Sequence, residues 1–535
     1  MTTYNLASSV LGLKYNAKQT ENGGSLFVKN SVIAYNLTTA ACTEITDVDY
    51  PSRHTYALTS LTSASTTATA TTTAANSLVT GDSVIIAGAT PSEYNGTYTI
   101  TVTVAGSVFT YVFAGSGTTP ATGTITAVGG KTTVPGVVYL DGYMFVQDIN
   151  GQIQNSANGD VTSWNALSFI TPEREPSNAV AIAKSLNYLV AFKQWDTEFF
   201  YDAAVAAPAS PLAVVDSSYL KLGCATADSV AEFDGGIVFM SKRDGTQRSR
   251  EIHVLNGLTP KKISDANVER ILNGDDLATC FACYLSTAGH QFYVLTLKTS
   301  AITIVYDFNN GFWYEWTLLT AQSAQSLVAE NLTASVGVAS VTLTAHGFED
   351  GDPVLMAGAS PSGYNGTFNI TYVDANTFTY PVATGLTTPA TGTITATGYN
   401  ESYFAIVAFA TYQNLDLVLH ETNGIIYSLE PTIYLDNLLP INFHIRLKAW
   451  DGGSNKRKQV TRVRVCGDIV DTDVLVRYSD DDSTTYKNYR HQDLSTQTSH
   501  ITRLGSTEKR IYEIRHTENT ALRLDALEQD NLLGQ

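Results

Sequence analysis

One segment of this chain is written twice. Gly81-Asp82, Ala87-Gly88-Ala89, Pro91-Ser92, Tyr94-Asn95-Gly96-Thr97 and Ile100-Thr101 recur as Gly351-Asp352, Ala357-Gly358-Ala359, Pro361-Ser362, Tyr364-Asn365-Gly366-Thr367 and Ile370-Thr371. Both copies end in the same eight letters, from Pro120 to Ala127 and from Pro389 to Ala396. Tandem repeats follow one another at a short, fixed period, whereas these copies lie far apart, so they read as two insertions in a host.

The remaining organisation follows from lifting the copies out. The host is residues 1–57, 129–325 and 398–439, the guests are 58–128 and 326–397, and a further region spans 440–535. Each guest reads as a small β-sandwich of about 70 residues. Its Asn-Gly step is the strongest short hairpin signal, because both residues tolerate positive φ. The Ala/Thr/Ser stretch from Ser63 to Ala75 reads as a flexible or edge segment.

Within the host, short alternating runs recur between Gly, Asn and Asp turns. They are Val137–Val146, Tyr188–Phe192, Gly236–Met240, Gln291–Leu295, Ile302–Asp307 and Leu417–His420. Regular short strands of this kind predict radial β-sheet repeats, hence a discontinuous β-propeller. Asp265 to Leu272 is the one convincing helical stretch. From Pro440 onward, Phe443–Leu447 and Val460–Val465 alternate basic and apolar residues, which predicts a half-buried antiparallel sheet in a C-terminal β-sandwich. The fold class expected is therefore all-β, in agreement with a charged fraction of only 15% and abundant Thr, Val, Tyr and Gly.

The formal net charge is −18 and is unevenly spread. Residues 440–535 hold 15 Lys+Arg and 14 Asp+Glu, leaving 32 − 15 = 17 basic and 50 − 14 = 36 acidic residues before them. An acidic body argues against tight wrapping of nucleic acid, which relies on Lys and Arg neutralising phosphates. It is compatible with a lumen through which DNA merely passes. Met1-Thr2-Thr3-Tyr4-Asn5 lacks the basic start and apolar run of a secretory signal, and no apolar stretch reaches about 18 residues, so no membrane span is expected. Five scattered cysteines fit a reducing compartment without a disulfide framework.

Four motifs bear on chemistry. Cys280-Phe281-Ala282-Cys283 has zinc-ligand spacing, but no second pair completes four ligands, so two small core residues on a strand are expected and no metal is assigned. Gly129-Gly130-Lys131-Thr132 resembles the end of a phosphate-binding loop, yet Ile125 replaces its first glycine and a strand follows where a helix is needed. Ser479 to Tyr486 resembles the Asp-box turn of sialidase-type propellers; calcium binding is conceivable chemistry for three carboxylates, and a hairpin capped by Asp side chains is the favoured reading. Lys456, Arg457 and Lys458 form a basic turn that could dock an acidic partner or a phosphate backbone. No nucleophile elbow, His-Glu-x-x-His or local carboxylate pair is present, so no catalytic residues and no cofactor are assigned and a non-enzyme is expected.

Several host segments, in order, resemble one family. They are Val138–Tyr143; Asn155-Ser156 with Trp164–Leu167; Phe192 with Thr197-Glu198-Phe199; Lys261–Ser264; Gly289–Leu295; Val305–Asp307 with Phe312–Trp316; and Thr502–Gly505 with Arg510–Arg515. Together they are similar to the packaged-DNA stabilization proteins, the tail hub or nozzle proteins of short-tailed bacteriophages. The resemblance covers most of the host and the C-terminal region but not the guests, which look like Ig-like decorations of phage tail proteins. It implies a structural virion protein in the tail: a homo-hexamer beneath the portal and head-to-tail adaptor, in contact with tail fibres, spikes or a needle. Double-stranded DNA would be retained by this ring and pass through its lumen without sequence-specific binding. The alternatives are a glycan-binding or glycan-hydrolysing tail spike with a sialidase-like propeller, and a surface adhesin of Ig-like modules.

Overall fold

The computed structural model describes residues 24–533, except 29–30, 37–40, 46, 48, 52, 116–117, 234, 243–249, 277–279, 288, 328–330, 413–414, 421–423, 431, 437–438 and 455. The Met1–Asn5 reading thus lies outside the described residues. Among those described the regular structure is almost all strand, with one α-helix, Ala266–Gly274. Asp265 caps it, accepting from the Asn267 and Val268 amides at 2.9 Å, and Val268 and Leu272, one turn apart, are buried.

Six sheets of consecutive antiparallel strands follow the host sequence. They run from Gly24 to Glu44, Val138 to Ile170, Ala179 to Leu220, Gly223 to Lys262, Cys280 to Glu315 and Ile406 to Leu429. All six host runs picked out by alternation are strands. Turn chemistry sets the registers. Leu140 pairs with Tyr143 across Asp141 (φ 49°) and Gly142 (φ 94°), the two-residue turn with both central φ positive that matches strand twist.

Hydrophobic cores lie between successive sheets. Val138 and Phe145 of one sheet meet Ile182 and Leu189 of the next. Phe192 and Phe199 then meet Ile237 and Phe239, and Val238 and Met240 meet Tyr293 and Leu295. Val294 and Val305 finally meet Ile406 and Val418. A strand buried on both faces by neighbouring sheets explains the near-continuous apolar runs, such as Leu189–Phe192, which are wholly buried. This is β-propeller packing. Trp164 adds a further tie: its amide donates to Asp47 Oδ2 at 2.9 Å and its ring meets Tyr50 edge-on.

Both guests leave the host between sheets and interrupt none of its hairpins. The first lies between strands Ala41–Glu44 and Val138–Leu140, the second between Phe312–Glu315 and Ile406–Tyr412. A ribbon, Thr317–Ala321 paired with Tyr399–Tyr403, carries the second.

The first guest differs from the expected pair of sheets. It closes into a six-stranded barrel, because Arg53–Ala64 and Gly96–Val104 are long enough to pass from one sheet into the other. In the second copy the corresponding run is split into Gly366–Asn369 and Thr371–Asp374, leaving two four-stranded sheets. The Ala/Thr/Ser stretch is neither loose nor an edge: strand Thr67–Thr72 pairs on both sides. Its period-2 alternation puts Ala68 and Ala70 into the barrel core beside Tyr94, Phe109 and Tyr111, where only small side chains leave room for the rings.

The repeated letters are the internal architecture of both modules. Asn95 is extended (φ −79°, ψ 139°), so Asn-Gly is not the expected hairpin turn. Its side-chain amide instead clamps Ala89, accepting from the amide at 2.9 Å and donating to the carbonyl at 2.8 Å, and Asn365 does the same to Ala359. Gly88 (φ +81°) is required because a Cβ there would lie 2.1 Å from the Thr124 carbonyl oxygen; Gly358 meets Thr393 likewise at 1.9 Å.

From Phe443 onward two four-stranded sheets face each other. Val460, Val463, Val465, Val474, Val476, Tyr512 and Ile514 fill the space between them.

Candidate functional site

The innermost strand, or the approach to it, of five host sheets converges on one cavity of about 220 Å³. Gly136, Ala183, Ala231, Ala282 and Ala408 each come from a different sheet, and small side chains are what let five backbones approach one axis. Gly136 shows the limit: a Cβ on it would stand 2.0 Å from the Ile182 carbonyl oxygen. Glu232 is the one charged group on this wall. Its Oε1 accepts from the Lys184 amide at 2.9 Å, and Lys184 Nζ donates to the Tyr139 carbonyl, so the carboxylate serves a bond between sheets. The cavity is smaller than ordinary small-molecule sites, at about 300–1,000 Å³. A nucleic-acid duplex cannot thread this axis.

Polar chemistry concentrates instead in the C-terminal sandwich. Arg477 lies between the rings of Tyr486 and Tyr489, 4.6 and 4.4 Å from their centroids, and donates through Nε to Glu513 at 2.6 Å. Tyr489 donates to the same carboxylate at 2.7 Å and His444 lies 3.1 Å from it. Burial alone would raise the Glu513 carboxyl, but the His444 and Tyr489 bonds and the Arg477 charge outweigh it and hold the group at about 2.

The residues singled out for chemistry divide clearly. Lys456 and Arg457 are exposed, but Lys458 is buried and turned inward, its Nζ donating to the carbonyls of Ser454, Lys456 and Glu508. The basic turn therefore presents two cations outward, not three. Cys280 and Cys283 sit on strand Cys280–Thr287, and burial pushes the Cys283 thiol up to about 12, which disfavours the thiolate a metal needs. Among the described residues no group of His, Cys, Asp or Glu is arranged to hold a metal ion. Lys131 bonds Gln152 at 2.7 Å, tying the exit of the first guest to the host.

The Asp-box-like turn is closed on itself. Asp481 accepts from Ser479 and Thr485, which lowers its carboxyl to about 2, and φ is positive at Asp482 and Ser483. Asp480 binds Arg510 and Asp482 binds Lys509. These engaged carboxylates do not form the separated pair that glycoside hydrolysis requires.

Comparison with known proteins bears on this arrangement. A family model described as bacteriophage P22 Gp10, β-propeller, matches residues 69–330. The chain belongs to that family. The match runs through most of the first guest, which the sequence resemblance had left out. As a Gp10-family member the chain is a structural protein of the phage virion. No curated protein matches. Among solved structures, the computationally designed Ika8 protein is 10% identical, covers 77% of this chain and 94% of its own, and has a TM-score of 0.26. BamB from Moraxella catarrhalis is 9% identical over 60% and 76% of the two chains, with a TM-score of 0.25. The WD40 domain of Toxoplasma gondii coronin is 9% identical over 80% and 87%, again with a TM-score of 0.25. Among the described residues of this Gp10-family chain, no helix is long and apolar enough to cross a membrane.

Proposed function

We propose that this chain is the tail hub, or nozzle, of a short-tailed phage: a homo-hexameric ring below the portal and head-to-tail adaptor that retains packaged DNA and conducts it at ejection. Fibres, spikes or a needle attach to it. The propeller, its two inserted modules and the C-terminal sandwich act as separate domains in this scheme. The observation that carries the reading is the closed propeller axis, whose small cavity leaves the space between subunits as the conduit. The surplus of acidic residues before Pro440 supports it, because a negative wall repels phosphates weakly and lets DNA slide without sticking. Lys456 and Arg457 are proposed docking residues for an acidic partner.

Electron microscopy of the assembled tail tests this. Six copies around a DNA-sized lumen on the tail axis are expected. A protein that stays monomeric and is missing from that axis would sink the proposal.

A further inference from the structure

The two copies share a turn in which every internal bond is repeated, yet among the described residues only the second is bonded to another domain. Val79 and Glu349 each donate a backbone amide to the aspartate three residues on, at 2.9 and 2.6 Å. Thr80 Oγ1 accepts from the Val102 amide at 2.9 Å, and Asp350 Oδ1 accepts from the equivalent Tyr372 amide at 2.7 Å. Gly81 and Gly351 donate to Ile100 and Ile370 at 2.9 and 2.8 Å. The local fold of the turn is therefore the same with either set of side chains.

The surroundings differ completely. A Cβ on Gly81 would have nothing within 4 Å, whereas one on Gly351 would stand 2.2 Å from Leu475 Cδ1. Around Gly351 the acidic letters meet the sheet of the C-terminal sandwich. Glu349 pairs with Arg477 at 3.0 Å, the second oxygen of Asp350 with His491 at 2.9 Å, and Asp352 with Arg515 at 2.8 Å. Thr517 Oγ1 donates to the Gly351 carbonyl, and Asn369 donates to the Thr517 carbonyl, both at 2.9 Å. Leu475 lies between Val474 and Val476, which point into the sandwich core, so alternation sends its side chain out toward the module.

The geometry points to a division of labour between the copies: the second module is a strut that binds the C-terminal sandwich through its Glu349-Asp350-Gly351-Asp352 turn, and the first is not. The partner surface is the basic face formed by Arg477, His491 and Arg515. Within the turn the difference lies at Glu349-Asp350 against Val79-Thr80, where the first copy keeps the internal bond of Thr80 but offers no charge; on the neighbouring strand Asn369 stands where the first copy has Thr99. The second module thereby joins the propeller, from which its ribbon emerges, to the sandwich. This inference stands apart from the ring proposal, since it concerns contacts within one chain.

The first copy supplies the test, because its letters are already known to suit the turn. In the full-length chain, E349V/D350T should speed hydrogen exchange at residues 349–352 and 515–518 about tenfold, while the module's strands, Pro353–Ala357 and Thr377–Pro381, keep their protection. L475K, which places a charge beneath Gly351 without entering the sandwich core, should do the same. V79E/T80D in the first module should leave exchange at 349–352 unchanged. Wild-type exchange at 349–352 in both E349V/D350T and L475K would overturn the strut, as would loss of protection throughout the second module.

Discussion

Arg510 stacks on Tyr478, its guanidinium carbon 3.8 Å from the ring centroid, and holds both oxygens of Asp480 through Nε and Nη2 at 2.7 and 2.9 Å. The arginine side chain is 1% exposed, so its charge depends on that pair and on the ring. A lysine there would keep the charge but lose the planar fork and the stacking. Arg510→Lys is expected to destabilise the sandwich by about 2–3 kcal/mol, below the cost of a fully broken buried pair because the lysine keeps the charge and Asp480 reaches water. Urea unfolding followed by tyrosine fluorescence checks it; a change in midpoint within error would show that the stack carries little.

Glu513 sets the acid limit of the same sandwich. Its carboxyl is lowered from 4.5 to about 2. A depressed acid contributes stability that is complete above its ordinary value and fades as pH falls through the folded value. The sandwich should therefore weaken between about pH 4.5 and about pH 2 as Glu513 takes up a proton and releases Arg477 and His444. Glu513→Gln should flatten that limb of the stability profile while lowering stability at neutral pH. Thermal melts across the window measure both effects.

His491 acts in the opposite sense. Its hydrogen bond to Asp350 and the charges of Asp350 and Asp473 outweigh burial and raise its proton affinity. A raised histidine contributes fully below its ordinary value, about 6.5, and its contribution is lost as pH rises through the folded value. Nearby His516 is shifted down by burial, while at Arg477 the charges of Tyr489, Glu349 and Glu513 outweigh burial and shift the guanidinium up. Docking of the second module should therefore loosen as pH rises above the ordinary histidine value and through the raised value of His491, without being abolished. Exchange at residues 349–352, corrected for its intrinsic pH dependence, is the readout, and His491→Gln should remove the trend.

Much of this architecture was legible in the letters, for a physical reason. A strand buried between two sheets needs an apolar run such as Leu189–Phe192, and a helix needs a cap such as Asp265, so each local signal agrees with its place in the fold. What escaped were roles that depend on distant partners. Asn95 carries a turn letter but works as a clamp on Ala89, and Lys458 sits in a charge run but points inward to carbonyls. The distinctive half of the docking turn lies beside, not within, the letters that the copies share. Its signal is the difference between them, Val79-Thr80 against Glu349-Asp350, two acidic letters gained immediately before the shared Gly-Asp step.

The edges of the first guest give the last expectation. Alternation and the repeat put its start at residue 58, but strand Arg53–Ala64 runs unbroken across that point, and Arg53–Ala57 pairs with Thr126–Gly130 to close the barrel. Tyr56, in this added stretch, is buried in the barrel core and its hydroxyl bonds Ser77 at 3.0 Å. An excised fragment 58–128 therefore loses a core ring and leaves strand Thr126–Gly130 without one of its two partners, exposing an unpaired edge. A fragment 53–130 keeps both, together with the complete hydrophobic cluster. Expressed alone, 53–130 should give a dispersed amide spectrum and a cooperative melt, and 58–128 a collapsed spectrum with no sharp transition. Equal dispersion from the two fragments would mean that the Arg53–Ala57 pairing belongs to the host and not to the module.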